Sequence, residues 1–334
     1  MSKAVLEVRD LTVRFGTEDG VVTAVDHLSF EVRGGETLGI VGESGSGKSV
    51  TSMAILGLLP KYAIVDGSVR FRGEELLGKS DDALRAVRGR EIAMIFQDAL
   101  ASLNPVHSVG RQIAEAVLVH HPEMSRHAAD TRALQLLTAV GIPNVTERFK
   151  QFPHQYSGGM RQRAMIAMSI ANDPQLLIAD EPTTALDVTV QAQVMDVIAR
   201  IQRETQSSMM LITHDLGVVA GTADRVLVMY AGRQVETGDV DEVFYSPSHP
   251  YTRGLLASLP RLDRRRGGAR LERISGQPPS LLKLPQGCSF APRCRYADLA
   301  GRCGSERPEL VSLGPTHQSS CFFADSLDRR EAES

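Results

Sequence analysis

The sequence has little net charge, few cysteines and no long apolar run. Its 334 residues include 37 basic and 40 acidic side chains, which gives a net charge of −3. This balance provides no general attraction to nucleic acid or anionic lipid, so a charged ligand has to be bound locally. No apolar run approaches the roughly 18 residues of a membrane span, and the N-terminal segment MSKAVLEVRD lacks the apolar core of a signal peptide. We therefore expect a folded protein that is made and kept in the cytosol.

The four cysteines all lie between positions 288 and 321, which is not how a disulfide-stapled secreted domain of this size distributes them. Their spacing is C-x5-C-x8-C-x17-C, whereas structural zinc sites usually contain two close pairs. Four soft thiolates in a reducing cytosol suit an iron–sulfur cluster. Zinc and metal-free thiols are the alternatives. The predicted local site consists of Cys288, Cys294, Cys303 and Cys321.

The predicted secondary structure alternates strands and helices around a helical insertion. Two alternating apolar segments, 5–15 and 22–33, read as half-buried strands. The elements predicted after them are a strand at 36–42, a helix at 48–59 ended by Pro60, a strand at 91–97, a helical stretch over roughly 109–171, a strand at 175–180, a helix at 190–204, a strand at 207–213, and then a short helix and the strand RVLVMYAG. This order is typical of an α/β protein with a parallel sheet. Segment 261–270 reads as an exposed linker into the cysteine-bearing tail.

The segment from Gly42 to Ser49 fits the pattern GxxxxGKS between a predicted strand and a predicted helix. In this pattern the backbone N–H groups of the loop point at phosphate oxygens, Lys48 meets the β and γ charges, and Ser49 holds magnesium. The positive end of the following helix dipole adds to the anion affinity. The expected ATP-contacting residues are Gly42, Ser44, Gly45, Ser46, Gly47, Lys48, Ser49 and Val50. Because kinases, GTPases and motor ATPases share this loop, it predicts nucleotide binding without choosing among them.

Two further segments contain candidate catalytic and anion-binding residues. The apolar strand QLLIAD brings Asp180 to the carboxyl end of the sheet, where it can hold magnesium through the water shell of the ion. Glu181 follows directly and is placed to polarise an attacking water, which favours hydrolysis over transfer to a bulky acceptor. The turn Ser157, Gly158 and Gly159 opens another helix whose N-terminus can bind an anion, although such a turn alone is more often a helix cap.

The ordered set GESGSGKS, Gln97 after a strand, YSGGM, LLIADE, TALD and His214 in ITHD resembles the ATP-binding-cassette (ABC) ATPases. This resemblance implies a P-loop α/β nucleotide-binding domain at 1–260, with a RecA-like core, an N-terminal antiparallel β subdomain and a helical subdomain at about 98–171. A C-terminal extension with four cysteines would follow at 261–334. The resemblance also implies that two cassettes pack head to tail, each ATP lying between the phosphate loop of one and the SGG helix of the other. The free energy of ATP binding would then drive closure of the dimer.

The resemblance assigns roles to individual residues. Phe15 would stack on adenine, although the usual residue is tyrosine and Phe15 also fits a core position. Gln97 would sense the nucleophilic water and the magnesium that Ser49 and Asp180 hold. His214 would contact the γ-phosphate, and Asp187 would link the two sites across the dimer. Met160 replaces the common glutamine of the signature, a change frequent in the branch described next.

Several segments resemble the oligopeptide, dipeptide and nickel importer branch: GESGSGKSVTSMAILGLLP, MIFQDALASLNP, SPSHPYTRGLLASLP and GQPPSLLKLPQGCSFAPRCRYAD. This implies a peripheral ATPase on the cytoplasmic face of the cell membrane. Its partners would be a second homologous ATPase subunit, two permease subunits gripped near DALASLNP, and an extracytoplasmic peptide-binding protein. Some members of this branch bind a four-iron, four-sulfur cluster in the tail. A nickel importer of the same branch is one alternative. A soluble cassette ATPase acting on nucleic acid or ribosomes is another, which the single cassette and mildly acidic balance disfavour.

Overall fold

A computed structural model of the chain describes residues 3–98, 102–184, 186–259 and 274–327. The strands, in chain order, are β1 (Ala4–Thr17), β2 (Gly20–Arg33), β3 (Thr37–Val41), β4 (Ala63–Phe71), β5 (Glu74–Glu75), β6 (Ile92–Ile95), β7 (Leu176–Asp180), β8 (Ser208–Thr213), β9 (Arg225–Tyr230), β10 (Arg233–Asp239), β11 (Val311–Ser312) and β12 (Gln318–Ser319).

The α-helices, in chain order, are α1 (Lys48–Ile55), α2 (Asp81–Val87), α3 (Val109–Leu118), α4 (Arg126–Ala139), α5 (Val145–Arg148), α6 (Gly158–Ser169), α7 (Val188–Thr205), α8 (Leu216–Thr222), α9 (Val240–Tyr245), α10 (Pro250–Ala257) and α11 (Arg302–Ser305). Short 3-10 turns occur at Pro153–Gln155, Ala291–Arg293 and Ala324–Ser326. In the part of the chain that the structure describes, no helix combines the length and hydropathy needed to cross a membrane.

The chain divides into two compact units. The first unit contains Met1–Leu6, Val32–Thr37 and Phe71–Ile212, and the second contains Glu7–Glu31, Leu38–Arg70 and Thr213–Ser334.

The first unit is built on parallel strands packed with helices. Strand β7 pairs in parallel with β6 on one side and with β8 on the other, so that Leu176 lies opposite both Ile92 and Ser208. All five residues of β7 are buried, which is typical of a parallel strand covered on both faces. Helices α3, α4 and α6 pack against one another, and α6 also packs against α7. Strand β7 therefore delivers Asp180 to its carboxyl end from a rigid core.

The second unit combines a parallel pair with antiparallel strands. Strand β3 pairs in parallel with β9, β9 pairs antiparallel with β10, and the short strands β12 and β11 extend this order. A separate sheet contains β2, β1 and β4 as neighbouring strands, in that order. A buried cluster contains Val41, Val219, Tyr230, Tyr251 and Phe290, and Cys288 and Cys294 pack against it. The C-terminal extension thus shares the hydrophobic core of this unit.

The α/β class predicted from the sequence is confirmed, with corrections to element bounds. The predicted helix at 48–59 is too long, because α1 ends at Ile55 and Gly57 turns the chain with a φ of 60°. The predicted helical stretch over 109–171 is four separate α-helices, the second and last of which begin at Ser125 and Ser157 caps. Strands β4 and β10 were not predicted.

Some sequence predictions lie outside the described residues. These are the linker at 261–270, part of DALASLNP at 99–101, and Ala185 of TALD. The predicted division of the chain into 1–260 and 261–334 falls in the same undescribed stretch at 260–273, so it stays a prediction.

Candidate nucleotide site

The phosphate loop joins β3 to α1 and encloses its lysine. Gly47 stands at the N-cap of α1, and Lys48 is the first helical residue. The Lys48 side chain is almost fully buried, and its ammonium donates hydrogen bonds to the carbonyl oxygens of Gly42 and Glu43 at 2.7 and 2.9 Å. The loop therefore holds the charge of the lysine at the N-terminus of a helix, the arrangement that binds phosphate.

Two glycines of the loop are required by the backbone of the protein itself. A Cβ atom at Gly42, which has a φ of 156°, would lie 2.2 Å from the carbonyl oxygen of Met229. A Cβ atom at Gly47, which has a φ of 101°, would lie 2.4 Å from the carbonyl oxygen of Ala24. From the sequence, the close approach of a ligand is the expected reason for these glycines. The structure adds that any larger residue would collide with the protein before a ligand arrives.

The other loop residues differ in their exposure. Ser44 and Gly45 are exposed, whereas Ser46 is buried and its carbonyl oxygen accepts a hydrogen bond from the Gly232 N–H at 3.0 Å. Ser49 and Val50, on the first turn of α1, are half-buried. The open part of the loop is thus its tip, and its two ends are anchored.

Phe15, the predicted adenine contact, is half-buried near the end of β1. Its ring meets the ring of Tyr62 edge to face, with 6.2 Å between the centroids. Tyr62 is an exposed aromatic residue that sequence reasoning missed, because it belongs to no motif. An aromatic pair with one exposed ring is suited to stacking on a flat base.

The predicted catalytic carboxylate lies at the end of β7. Asp180 is buried, and the chain turns at Glu181, which has a φ of 48°. The Glu181 N–H donates to the Ile212 carbonyl oxygen at 2.8 Å, so the turn is fixed to the neighbouring strand β8. A non-glycine residue with positive φ is strained, and such strain is often kept where a side chain must be aimed.

The carboxylate of Glu181 is oriented by two donors. Its Oε2 atom accepts hydrogen bonds from Gln97 Nε2 at 3.0 Å and from Thr184 Oγ1 at 2.7 Å. The structure therefore brings together Gln97 and Glu181, which are 84 residues apart in the sequence. Thr184 was not predicted, although it follows Glu181 by three residues in a turn.

The SGG turn begins helix α6 in the first unit. Ser157 is the N-cap residue, and its hydroxyl accepts a hydrogen bond from the Met160 N–H at 3.3 Å. A Cβ atom at Gly159 would lie 2.7 Å from Val190 Cγ1. Gly158 is exposed, and among the residues that the structure describes an added Cβ there would touch only Leu186 Cδ2, at 4.0 Å. The turn is therefore a well-formed helix cap with one crowded and one open glycine.

Asp187 and His214 are both exposed. Asp187 caps helix α7, because its Oδ1 atom accepts from the Val190 N–H at 3.0 Å. His214, which directly follows β8, belongs to the second unit. The next residue, Asp215, caps α8, because its carboxylate accepts hydrogen bonds from the Gly217 and Val218 N–H groups. Each residue thus stands at the edge of a capped helix, with its backbone fixed.

The four cysteines are close enough to influence one another. Burial, together with the neighbouring thiols, raises the pKa of Cys294 to about 11 and that of Cys321 to about 12. Burial also raises the pKa of Cys288. Thiols with raised pKa values are protonated near neutral pH and are poor nucleophiles. Within residues 3–98, 102–184, 186–259 and 274–327, no group of three or more His, Cys, Asp or Glu residues is placed to hold a metal ion. The structure therefore does not support the predicted iron–sulfur site.

Two protein families match the chain. Residues 25–184 match the ABC transporter family, and residues 235–303 match the family described as oligopeptide/dipeptide transporter, C-terminal region. The chain resembles the oligopeptide transport ATP-binding protein OppD of Mycobacterium tuberculosis, with 51% identity over 98% of this chain and 53% of that protein. The chain spans about half the length of this mycobacterial relative.

Other curated relatives match over nearly their whole length. The dipeptide transport ATP-binding protein DppD of Bacillus subtilis is 51% identical over 96% of this chain and 95% of that protein. The oligopeptide transport ATP-binding protein OppD of Escherichia coli is 51% identical over 96% of this chain and 93% of that protein.

Solved structures of ABC cassettes share the fold. The dimeric structure of MJ0796, a bacterial ABC transporter cassette, aligns with a TM-score of 0.64 and 24% identity over 70% of this chain and 98% of that chain. CbiO1 from Clostridium perfringens, part of the ABC transporter complex cbiONQ, aligns with a TM-score of 0.61 and 26% identity. The alignment covers 73% of this chain and 92% of that chain.

The phosphate loop, the glutamate at the end of a buried parallel strand and these matches define a P-loop ATPase of the cassette type. The chain belongs to the ABC transporter ATP-binding family, in the group that carries the oligopeptide/dipeptide transporter C-terminal region.

Proposed function

We propose that the chain is the ATP-hydrolysing subunit of a bacterial ABC importer for dipeptides or oligopeptides. The observation that carries hydrolysis is the pair of hydrogen bonds that aims the Glu181 carboxylate from Gln97 and Thr184. Peptide import is supported by the identity to the dipeptide transport protein of Bacillus subtilis and by the match at 235–303.

The proposed reaction converts ATP and water to ADP and phosphate. Glu181 accepts the proton of the water as the water attacks the γ-phosphorus, and ADP leaves with the electrons of the broken P–O bond. Lys48 and the loop N–H groups stabilise the phosphate charges. His214 is proposed to contact the γ-phosphate, and Phe15 to stack on adenine.

Magnesium is the implied metal of this reaction. The Ser49 hydroxyl, the Gln97 amide oxygen and the buried Asp180 carboxylate are the hard oxygen donors that magnesium prefers, so the residue types fit the ion. The ion would neutralise charge on the β- and γ-phosphates when bound.

The proposed assembly is a dimer with a second homologous ATPase subunit on the cytoplasmic face of the membrane. Ser157, Gly158 and Gly159 would contact the nucleotide of the partner subunit, and Asp187 would link the two sites. Two permease subunits and an extracytoplasmic peptide-binding protein complete the importer. The exposure of Ser157, Gly158 and Asp187 supports this part of the proposal, because a partner can reach them.

An iron–sulfur cluster in the C-terminal extension stays a prediction and takes no part in the proposed reaction. Burial and the neighbouring Cys294, Cys288 and Cys303 thiols raise the pKa of Cys321, which supports the grouping of the four residues, whereas the lack of a metal-holding arrangement among the described residues opposes it. Anaerobic purification decides the question. A brown absorbance with bound iron and sulfide supports the cluster, and a colourless protein without iron rejects it.

Two substitutions test the ATPase proposal. Lys48→Ala should abolish ATP binding because the loop loses its buried ammonium. Glu181→Gln should keep ATP binding but lower turnover by about 100-fold or more, because a general base is lost. Turnover is measured in the assembled transporter, since a lone subunit is expected to hydrolyse slowly, and ATP-dependent dimer formation is measured by sedimentation.

The exposed Glu204 near the end of α7 offers a matched control. Glu204→Gln should leave binding and turnover unchanged. Unimpaired turnover in Glu181→Gln would reject the assigned base. Co-purification with permease subunits supports transport, whereas co-sedimentation with ribosomes or DNA favours the soluble alternative.

A further inference from the structure

Glu43, a variable position of the phosphate loop, is held by the loop and by the C-terminal part of the chain. Its carbonyl oxygen accepts the Lys48 ammonium at 2.9 Å. Its N–H donates to the Tyr251 hydroxyl at 2.8 Å. Its two carboxylate oxygens accept from the two terminal nitrogens of Arg293 at 2.6 and 3.0 Å. One residue therefore joins the lysine of the loop to a guanidinium that lies 250 positions away in the sequence.

The Arg293 side chain is buried and held by several contacts. It is only 4% exposed. The guanidinium lies near the rings of Tyr230 and Phe290, at 5.8 and 5.9 Å from their centroids, and Nε donates to the Ser275 carbonyl oxygen at 3.1 Å. The hydrogen bonds that the guanidinium donates to the Glu43 carboxylate raise the pKa of Arg293, so the guanidinium stays charged throughout the working pH range.

The backbone of Arg293 is set by the cysteine-bearing turn. Arg293 ends the 3-10 turn Ala291–Arg293, which Cys288 and Cys294 flank. The Ala291 N–H donates to the Cys288 carbonyl oxygen at 3.0 Å, and the Cys294 N–H donates to the Ala291 carbonyl oxygen at 3.2 Å. The fold of the extension therefore decides where the guanidinium points.

Stability alone does not account for this ion pair. Removing a guanidinium from water costs about as much as the pairing returns, so buried pairs are often neutral compared with apolar residues. What a two-pronged arginine–carboxylate pair does provide is a fixed geometry, since both bonds form only in one orientation. The pair is thus suited to fixing the position of Glu43, and with it the carbonyl oxygen that holds Lys48.

We propose that Arg293 is a positioning residue for the phosphate loop, through which the C-terminal extension sets the loop conformation that binds ATP. The inference rests on the proposed ATPase function. It assigns the extension a direct part in nucleotide affinity. Arg293 itself acts through Glu43 rather than by touching the nucleotide.

The test uses the full chain and two measurements. Hydrogen exchange of the peptide that covers Gly42–Ser49 reports loop order in nucleotide-free protein. Calorimetric titration with a non-hydrolysable ATP analogue and magnesium gives the Kd. Arg293→Ala should speed loop exchange and raise the Kd about tenfold, because a charge-assisted pair is lost. Arg293→Lys should recover part of the affinity, since an ammonium carries the charge without the two-pronged geometry.

Arg302→Ala is the matched control, because Arg302 lies in the same extension, is 64% exposed and pairs with Glu306. It should change neither loop exchange nor the Kd. The double variant Arg293→Ala with Glu43→Ala should bind no more weakly than Glu43→Ala alone, as expected for residues that act through one contact.

Wild-type loop exchange and Kd in Arg293→Ala, with only a lower Tm, would overturn the proposal. If Arg293→Ala does not fold, Arg293→Lys and Glu43→Gln decide: faster loop exchange in both supports the proposal, and unchanged exchange rejects it. The exchange result does not depend on nucleotide. Wild-type protein that fails to bind the ATP analogue would therefore reject the ATPase proposal, while loop exchange still decides the role of Arg293.

Discussion

The two glycine turns that begin helices α1 and α6 are constrained in different ways. In the phosphate loop, Gly42 and Gly47 have positive φ angles, and added Cβ atoms would meet carbonyl oxygens of the protein at 2.2 and 2.4 Å. In the SGG turn, an added Cβ at Gly159 would meet a side chain at 2.7 Å, whereas one at Gly158 would meet, in the described part of the chain, only one methyl group at 4.0 Å. Backbone atoms cannot move aside, whereas side chains can.

The contrast between the two turns indicates two different reasons why a position requires glycine. The fold of the second unit is sufficient to explain Gly42 and Gly47, whatever the loop binds. The described residues of the first unit explain Gly159 in part, and they give no reason for glycine at 158. A glycine that its own unit does not require is best explained by something that approaches from outside, as the partner nucleotide does in the proposed dimer. Alanine substitutions at Gly42, Gly45, Gly159 and Gly158 test this interpretation.

Gly42→Ala should have the largest effect, because it combines a backbone collision with an unfavourable φ angle. The free energy of unfolding should fall by about 3 kcal/mol or more, and ATP binding should be lost. Chemical denaturation and calorimetric titration measure the two effects.

Gly45→Ala measures the energetic cost of a positive φ angle without the steric clash that Gly42→Ala also introduces. Gly45 has a φ of 79°, and among the described residues nothing lies within 4 Å of an added Cβ. Its substitution should lower the free energy of unfolding by only about 1–2 kcal/mol, the cost of the left-handed conformation. Equal losses in the two variants would show that the contact with the Met229 carbonyl oxygen is not decisive.

Gly159→Ala should have an intermediate effect, because its obstacle is the γ-methyl group of Val190. We expect the free energy of unfolding to fall by about 1–2 kcal/mol, as for other overpacked sites. Adding Val190→Ala removes the obstructing methyl group. The double variant should therefore be more stable than the sum of the single losses predicts, which denaturation of all four proteins measures. Strict additivity would mean that the two residues do not interact.

The sequence was sufficient to predict the parts of the site that lie within one local motif. The phosphate loop, the buried strand before Asp180 and the Ser157 cap all follow from residue order over a few positions. The contact between Gln97 and Glu181 was not derivable from spacing alone, but both residues lie after strands predicted to be parallel, and such strands end at one edge.

The rest of the site depends on contacts between distant segments. Nothing local in the sequence connects Glu43 with Arg293 or places Tyr62 beside Phe15. Strand β4 was missed because Asp66 and Gly67 interrupt its apolar alternation, and residues that disfavour strands are tolerated there by sheet pairing. The helix ends were misjudged because apolar periodicity continues past the glycines and serines that end and begin helices.

Gly158→Ala should have the smallest effect on stability and the most informative effect on function. Alanine in the first turn of a helix should leave the free energy of unfolding unchanged or raise it by about 0.5 kcal/mol, because the unfolded chain loses freedom. If a partner nucleotide approaches this backbone, turnover in the assembled transporter and ATP-dependent dimerisation should nevertheless fall by about tenfold or more, a loss of roughly 1.4 kcal/mol.

Gly221 in α8 gives the matched control, because it is an exposed helical glycine and the described part of the chain places nothing within 4 Å of its added Cβ. Gly221→Ala should show the same small change in stability with unchanged turnover. Wild-type turnover in Gly158→Ala would remove the reason to look outside the chain, and the open glycine would then be a helix cap like any other. A selective loss of turnover at unchanged stability would instead locate the constraint on residue 158 in the partner, because one added methyl group disturbs no contact with the described residues of its own unit.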